Sequence, residues 1–284
     1  MVLIYQDFFF EMKKIGIQGI KGSFHDQVAQ SVFDMASHQI VEYMSFDSLT
    51  KGLIREDIDL AIMAIENSIA GSILPNYALL DRNNLSIIKE HFLQINHHLM
   101  ALPGQSLTAI REVHSHPMAL LQCAQFFDAY PEIRLVEAED TALVAQKIQT
   151  EKLSGIAAIA GKGAAEIYQL DVLAPQIQTI KNNVTRFVIV SKKPVPLAPE
   201  FNKAALKFTL DHQRGSLATV LNVMSDCQLN LTKIQSLPVI ETPGKYAFFV
   251  DVTFENIEQY KKAKSILEIM AQQFKVLGVY QKEN

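Results

Sequence analysis

Asn182-Asn183-Val184-Thr185-Arg186-Phe187-Val188-Ile189-Val190 is the stretch on which the fold of this chain turns. A run of β-branched and aromatic residues begins beside two asparagines, so a strand starts here. Alternation along a strand sends Thr185 and Phe187 to one face and Arg186 to the other. A hydroxyl and a guanidinium at the mouth of a strand can meet a ligand at the edge of a sheet. Its position in the chain matters as much as its composition. It follows two successive sets of alternating strands and helices, and it precedes a proline-rich stretch.

The first set runs through a strand at residues 15–18, a helix at 24–35, a strand at 41–44, a helix at 46–55 and a buried strand at 60–65. A helix at 74–80 follows, with Ser72 as N-cap and Pro75 in its first turn. Residues 85–102 are β-rich, broken by Asn96-His97-His98. The second set has strands near Val113, at 133–136 and at 156–159, with helices at 116–127, 141–150 and 162–168. Such alternation predicts parallel, doubly wound sheets. Two sets joined near residues 95 and 182 predict two α/β lobes. The strand from Thr185 then returns the chain to the first lobe, placing Thr185 at a hinge that faces the cleft.

Pro194, Pro196 and Pro199 make residues 194–203 a linker. Beyond it the pattern changes to strand, helix, strand, strand, helix, strand over residues 205–280. That order is a ferredoxin-like α+β module. The expected organisation is an N-terminal extension (1–13), a two-lobed catalytic part (14–193) and a C-terminal module (204–284). Lobe 1 takes about 14–95 and 183–193, and lobe 2 about 96–182.

With 284 residues and 49% hydrophobic content the chain can bury two or three cores. A net charge of −4 with scattered lysines and arginines offers no basic face for nucleic acid. Cys123 and Cys227 are too few and too far apart for a disulfide framework or a zinc pair, and a metal site is not expected. No apolar run reaches the roughly 20 residues of a membrane helix. A cytoplasmic enzyme fits these bounds. Residues 1–11 are apolar but lack a basic start, and Asp7 and Glu11 interrupt them. Either Met12 is the initiator or these residues form a loosely attached extension.

Several polar groups interrupt apolar elements. Gly16-Ile17-Gln18-Gly19-Ile20-Lys21-Gly22-Ser23-Phe24 is a turn between strand and helix, lacking the spacing of a dinucleotide or P-loop motif. Ser23 can cap the helix, and backbone N–H groups there can hold a carboxylate. Glu66-Asn67-Ser68 ends an apolar strand, with Gly71-Ser72 just beyond. Ser115-His116-Pro117 opens an apolar helix with Ser115 as N-cap. Gln122, seven residues after Ser115, falls on the same helical face.

In this order, Ile65-Glu66-Asn67-Ser68-Ile69-Ala70-Gly71-Ser72, the stretch from Val113 to Cys123, Glu139-Asp140-Thr141-Ala142, the stretch from Ala157 to Ala165, and Thr185-Arg186-Phe187 resemble the prephenate dehydratases. The resemblance runs from about Lys14 to the C-terminus. It implies a periplasmic-binding-protein-like (type II) pair of lobes with the active site between them. The reaction it implies is loss of CO2 and water from prephenate to give phenylpyruvate, on the route to phenylalanine. Aromatisation drives that step, so no cofactor is required. The implied catalytic set is Thr185, Asn67, Ser115 and Gln122, with Thr185 donating to the departing hydroxide and Asn67 hydrogen-bonding the substrate. Ser23, Glu66, Ser68, Arg186 and Phe187 are expected around the substrate. Arg186 can bind a carboxylate or, equally, turn away and brace Glu66 or Asp140. Phe187 can keep water out.

The C-terminal stretches Asp211-His212-Gln213-Arg214-Gly215-Ser216-Leu217 and 229–238 resemble an ACT domain. That implies phenylalanine as feedback effector, read by Gly215, Ser216, Leu217, Asn230, Leu231, Gln235 and Ser236, and a homodimer or homotetramer through these domains. Ser216 stands for the family's usual Ala, and Gln235-Ser236-Leu237-Pro238 replaces its usual E-S-R-P. An all-helical chorismate mutase unit of roughly 90 residues finds no room before Ile15. Two other readings stand: arogenate as substrate, and a non-catalytic amino-acid sensor.

Overall fold

Three sheets divide the chain in the computed structural model, which describes residues 12–211, 213–239 and 245–283. The expected extension at residues 1–11 lies outside the described residues. The first sheet begins with β1 (Lys13–Gln18), α1 (Phe24–Val32), β2 (His38–Tyr43), α2 (Phe46–Ile54) and β3 (Leu60–Asn67). It continues through β4 (Gly71–Ser72), α3 (Leu74–Arg82) and β5 (Ser86–Gln94). The second contains β6 (His98–Ala101), β7 (Glu112–Ser115), α4 (Pro117–Phe127), β8 (Arg134–Glu137), α5 (Thr141–Glu151), β9 (Ile156–Ala160), α6 (Lys162–Tyr168) and β10 (Asp171–Ala174). β11 (Val184–Ser191) then crosses back and inserts between β3 and β5, giving the order β2-β1-β3-β11-β5 with β4 beside β3.

The return of the Thr185 strand to the first lobe is therefore as expected, but the sheets are mixed rather than parallel. β1 runs parallel to β2 and β3, whereas β11 is antiparallel to both β3 and β5. A strand entering from the opposite lobe arrives in the reverse direction, while the local strand–helix–strand units give the parallel pairs. The second sheet, β10-β6-β9-β7-β8, is mixed in the same way.

Central strands read as continuous apolar runs because both faces are covered. On one side Ile62, Ala64, Phe187 and Ile189 pack with Val28 and Ala29 of α1. On the other, Met63, Ile65, Val188 and Val190 pack with Leu49 and Leu53 of α2. Two helix starts depart from expectation. Ser72 lies in β4, pairing with Glu66, so Ile73 is the N-cap of α3 and has no side-chain cap. Ser115 ends β7, and His116 caps α4 by accepting from the Met118 N–H at 3.2 Å.

β12 (Lys203–Thr209), α7 (Ser216–Asp226), β13 (Asn230–Pro238), β14 (Tyr246–Thr253), α8 (Ile257–Met270) and β15 (Gln272–Tyr280) form the third sheet, ordered β13-β14-β12-β15 and antiparallel throughout. This is the ferredoxin-like arrangement. Its helices cover one face. The other joins the first lobe: Ala205, Phe249, Leu277 and Tyr280 share one buried cluster with Tyr77, Leu80, Leu85 and Ile87. Gly278 permits the approach of β15 to β5, since a Cβ there would lie 2.2 Å from the Ile87 carbonyl oxygen. No helix among the described residues is long and apolar enough to cross a membrane.

Candidate active site

A cleft of about 570 Å³ opens between the first two sheets. Lobe 1 contributes Ser23, Phe24, Phe46, Asn67, Thr185 and Phe187, and lobe 2 contributes His97, Gln122 and Asp140. The lobes meet closely beside it at Gly22 (φ 86°), where a Cβ would lie 2.9 Å from Ala164 Cα. Register sets Thr185 opposite Asn67 across β3 and β11.

The hydrogen bonds at Thr185 have a direction. Asn67 Oδ1 accepts from the Ile69 and Ala70 N–H groups, both at 2.9 Å, which fixes the amide's orientation. Asn67 Nδ2 therefore donates to Thr185 Oγ1 at 2.9 Å and to Asn183 Oδ1 at 2.7 Å. A hydroxyl that receives this bond keeps its own proton for the cleft. Asn67 itself, expected to meet the substrate, has both amide hydrogens committed inside the protein. Its geometry suits it to orient Thr185.

Gln122 reaches the cleft from α4, and its Oε1 lies 2.9 Å from Asn183 Nδ2 and 3.0 Å from His97 Nε2. Burial above all holds His97 below the ordinary imidazole range. His25 accepts from the Ala64 N–H at 3.4 Å, and burial pulls its pKa down to about 3. The two rings face this wall neutral near pH 7. Phe187 packs edge-on against His25, with ring centres 5.0 Å apart. Ser23 lines the cleft at the N-terminus of α1, its Oγ accepting from the Asp26 N–H at 3.2 Å.

No lysine or arginine is among the described residues lining the cleft. The N-terminal residues of α1, α2, α4 and α5 all border it instead. Helix N-termini and neutral donors are thus what the cleft offers an anion, and two acids also line it, Glu139 and Asp140, the latter capping α5. Among the described residues no group of His, Cys, Asp and Glu is placed to hold a metal ion.

Four expected site residues lie elsewhere. Ser115 is fully buried in lobe 2, where its Oγ donates to the Ile159 carbonyl at 2.7 Å. As a strand residue it shares no helical face with Gln122, and it does not line the cleft. Ser68 is tied to β11, accepting from the Val184 N–H at 2.9 Å. Arg186 points to the opposite face of the sheet, as strand alternation requires, and is 4% exposed. Its guanidinium donates to Glu90 at 2.8 Å, to the Tyr280 hydroxyl at 2.8 Å and to Asp251, and lies 3.7 Å from Glu66. Glu66 accepts from Lys233 at 2.9 Å on that same side. The bracing of Glu66 by Arg186 is thus present, and neither residue faces the cleft.

The positions expected to read an effector do not converge within one copy of the chain. Gly215, with φ 88°, opens α7, and Ser216 donates within its own turn to the Asp211 and Gln213 carbonyls at 3.0 and 2.9 Å. Ser216 and Leu217 line a groove of about 120 Å³ with Tyr246 and Phe248. Asn230 borders a separate polar groove of about 490 Å³. Leu231, Gln235 and Ser236 lie along β13, an edge strand, and line neither.

Comparison with known proteins bears on this geometry. A family model described as prephenate dehydratase matches residues 15–195. The chain belongs to the prephenate dehydratase family. Over 278 residues it is 34% identical to arogenate dehydratase/prephenate dehydratase 2, a chloroplastic protein of Arabidopsis thaliana, covering 94% of this chain and 72% of that one. The prephenate dehydratase of Arthrobacter aurescens, solved in complex with L-phenylalanine, superposes with a TM-score of 0.85 at 25% identity, covering 94% of this chain and 89% of that one. A structure described as a quorum-quenching acylase superposes with a TM-score of 0.84 at 27% identity, covering 95% and 98%. The two-lobed architecture is that of solved prephenate dehydratases, in the type II periplasmic-binding-protein-like class.

Sequence reasoning passed over Asn183, fully buried, although it stands near the start of the decisive stretch. Its signal was an amide immediately before a crossing strand. His25 was missed as a wall of the cleft, since its neighbours read as helix.

Proposed function

We propose that this chain is a carbon–oxygen lyase that converts prephenate to phenylpyruvate, carbon dioxide and water. In that reaction the bond from the ring to its carboxylate breaks, and its electron pair moves through the ring. The bond from the opposite ring carbon to its hydroxyl breaks in turn. The departing hydroxide needs a proton or a strong donor, and the aromatic product supplies the driving force. The observation that carries the reading is the Thr185 hydroxyl, which accepts from Asn67 and so meets the cleft as a donor. The apolar wall of Phe187 and Phe46 suits decarboxylation, because a carboxylate shielded from water loses CO2 more readily. Gln122 and the helix N-termini would hold the substrate's carboxylates without a cation.

Arogenate differs from prephenate by an amino group in place of the side-chain keto oxygen, and the Arabidopsis relative carries both activities in its name. Among the described residues lining the cleft nothing favours an acylase, and the Ser31–His91 contact at 3.2 Å, with Glu283 behind the ring, lies outside it. Acyl transfer needs a nucleophile beside a base. Thr185 touches an amide, His97 faces Gln122, and Cys123 is buried with its thiol pushed up to about 12.

The C-terminal module is read as an ACT domain that binds phenylalanine between two copies, so the enzyme would be at least a homodimer. The small groove at Ser216 and Leu217 and the free edge of β13 support that reading, because a second copy would complete both. Residues 14–193 would then be catalytic, 194–203 a linker and 204–284 regulatory. Purified protein supplied separately with prephenate and arogenate tests the assignment. Phenylpyruvate from prephenate is the expected product. Turnover of arogenate alone would reassign the substrate, and turnover of neither would overturn the reading. Calorimetry and inhibition curves with phenylalanine test the module: binding heat and inhibition are expected, and their absence at millimolar phenylalanine would reduce it to a packing and dimerisation unit.

A further inference from the structure

The hydrogen-bond network in the cleft wall runs from one lobe to the other, and its direction is set at one end. The Ile69 and Ala70 N–H groups hold Asn67 Oδ1, so Asn67 offers hydrogens to Asn183. Asn183 must then receive through Oδ1 and present Nδ2 to Gln122. Gln122 must in turn receive through Oε1, which leaves its amide hydrogens for the cleft. His97 faces that same oxygen and must carry its proton on Nε2. His97 Nδ1 has no partner among the described residues, as fits the lone pair of a neutral ring. Turning any amide around would set oxygen against oxygen, or hydrogens against hydrogens, in a buried place.

We propose that Asn183 is a positioning residue that carries this direction across the lobes, so that the Thr185 hydroxyl and the Gln122 amide both meet the substrate as donors. Its placement suits the task. It is fully buried just before β11, does not line the cleft, and its carbonyl accepts from the Ile95 N–H at 2.7 Å. Both crossings between the lobes are thus tied to it. A substrate rich in carboxylate and hydroxyl oxygens needs donors on both walls. The identity of that substrate rests on the function proposed above, whereas the direction of the network does not.

Asn183→Asp separates the two arms. It keeps an oxygen for Asn67, and so leaves Thr185 oriented, but turns the atom facing Gln122 from donor to acceptor. Gln122 must then swing its amide hydrogens toward the new carboxylate and toward His97. Nitrogen-15 NMR of the imidazoles in the full-length protein reads this directly. In the wild type His97 should show the Nε2-protonated tautomer, and in Asn183→Asp the Nδ1-protonated one. With prephenate, Asn183→Asp should raise KM about tenfold while kcat stays within about threefold. Adding Gln122→Ala to it should then cost less than about twofold in kcat/KM. An unchanged His97 tautomer, or a Gln122→Ala loss as large in Asn183→Asp as in the wild type, would overturn the proposal. If Asn183→Asp does not fold, Asn183→Ala carries the same cycle with Gln122→Ala, and full additivity there would overturn it as well. A wild-type protein that leaves prephenate untouched would sink the proposed function, and the tautomer measurement would still decide the role of Asn183.

Discussion

A threonine hydroxyl is a very weak acid, so in the function proposed here Thr185 would donate a hydrogen bond in the transition state rather than give up its proton. Orientation is therefore the property that matters, and Asn67 supplies it at 2.9 Å. Asn67→Ala should lower kcat/KM by about 1–3 kcal/mol, with the loss mainly in kcat, because Asn67 acts through Thr185. Steady-state kinetics with prephenate checks this, and a loss confined to KM would place Asn67 on the substrate instead. His25, in the cleft wall, also bears on stability. Burial lowers its pKa from 6.5 to about 3, so between these values the unfolded chain binds a proton that the folded one refuses. Its stabilising contribution is therefore complete above pH 6.5 and is lost as pH falls, by up to about 1.4 kcal/mol per unit. Urea unfolding at pH 7, 6 and 5 should show a shallower decline in His25→Gln. Equal slopes would mean that His25 takes up its proton within the fold.

At the scale of elements, alternation along β11 correctly separated Thr185 and Phe187 from Arg186, because one strand's pleat depends only on its own residues. What lay across from each face was not legible. Asp251 and Tyr280, the partners of Arg186, come from β14 and β15 of another sheet, and no local pattern announces them. Ser72 and Ser115 were misread as helix caps because each is claimed by a strand instead: β4 folds back on β3 with Ser72 opposite Glu66, and β7 pairs with β8 with Ser115 opposite Glu137. The crossings near residues 95 and 182 were legible, since polar residues there interrupt long apolar runs. Arg186, Glu90 and Asp251 are all nearly excluded from water, so removing the guanidinium leaves Asp251 without its cation and Glu90 with Lys203 alone. Arg186→Met should destabilise the protein by about 3–5 kcal/mol in urea unfolding. Arg186→Lys should recover little, because one ammonium cannot reproduce a fork reaching Glu90, Asp251 and Tyr280. A midpoint unchanged in Arg186→Met would show that the cluster contributes nothing to folding.

Across the whole molecule, the C-terminal module and the first lobe share one apolar core, and Arg186 bridges them directly behind Thr185. A change in the module's sheet thus has a short mechanical route to the cleft, through one residue of β11. Gly278 tests how tightly the two are joined, because its lack of a Cβ brings β15 onto Ile87. Gly278→Ala must push β15 away from β5 and should cost about 1–3 kcal/mol of stability, read from the shift in the urea midpoint. No shift would mean that the two sheets separate at little cost. The central claim, that this cleft dehydrates prephenate with Thr185 as donor to the leaving hydroxide, is tested most directly by the kinetics of Thr185→Ala and Thr185→Ser with prephenate. Thr185→Ala should lose about 10²–10⁴ in kcat with KM nearly unchanged, and Thr185→Ser should keep much of the activity. A Thr185→Ala enzyme within a few-fold of the wild type would contradict the account.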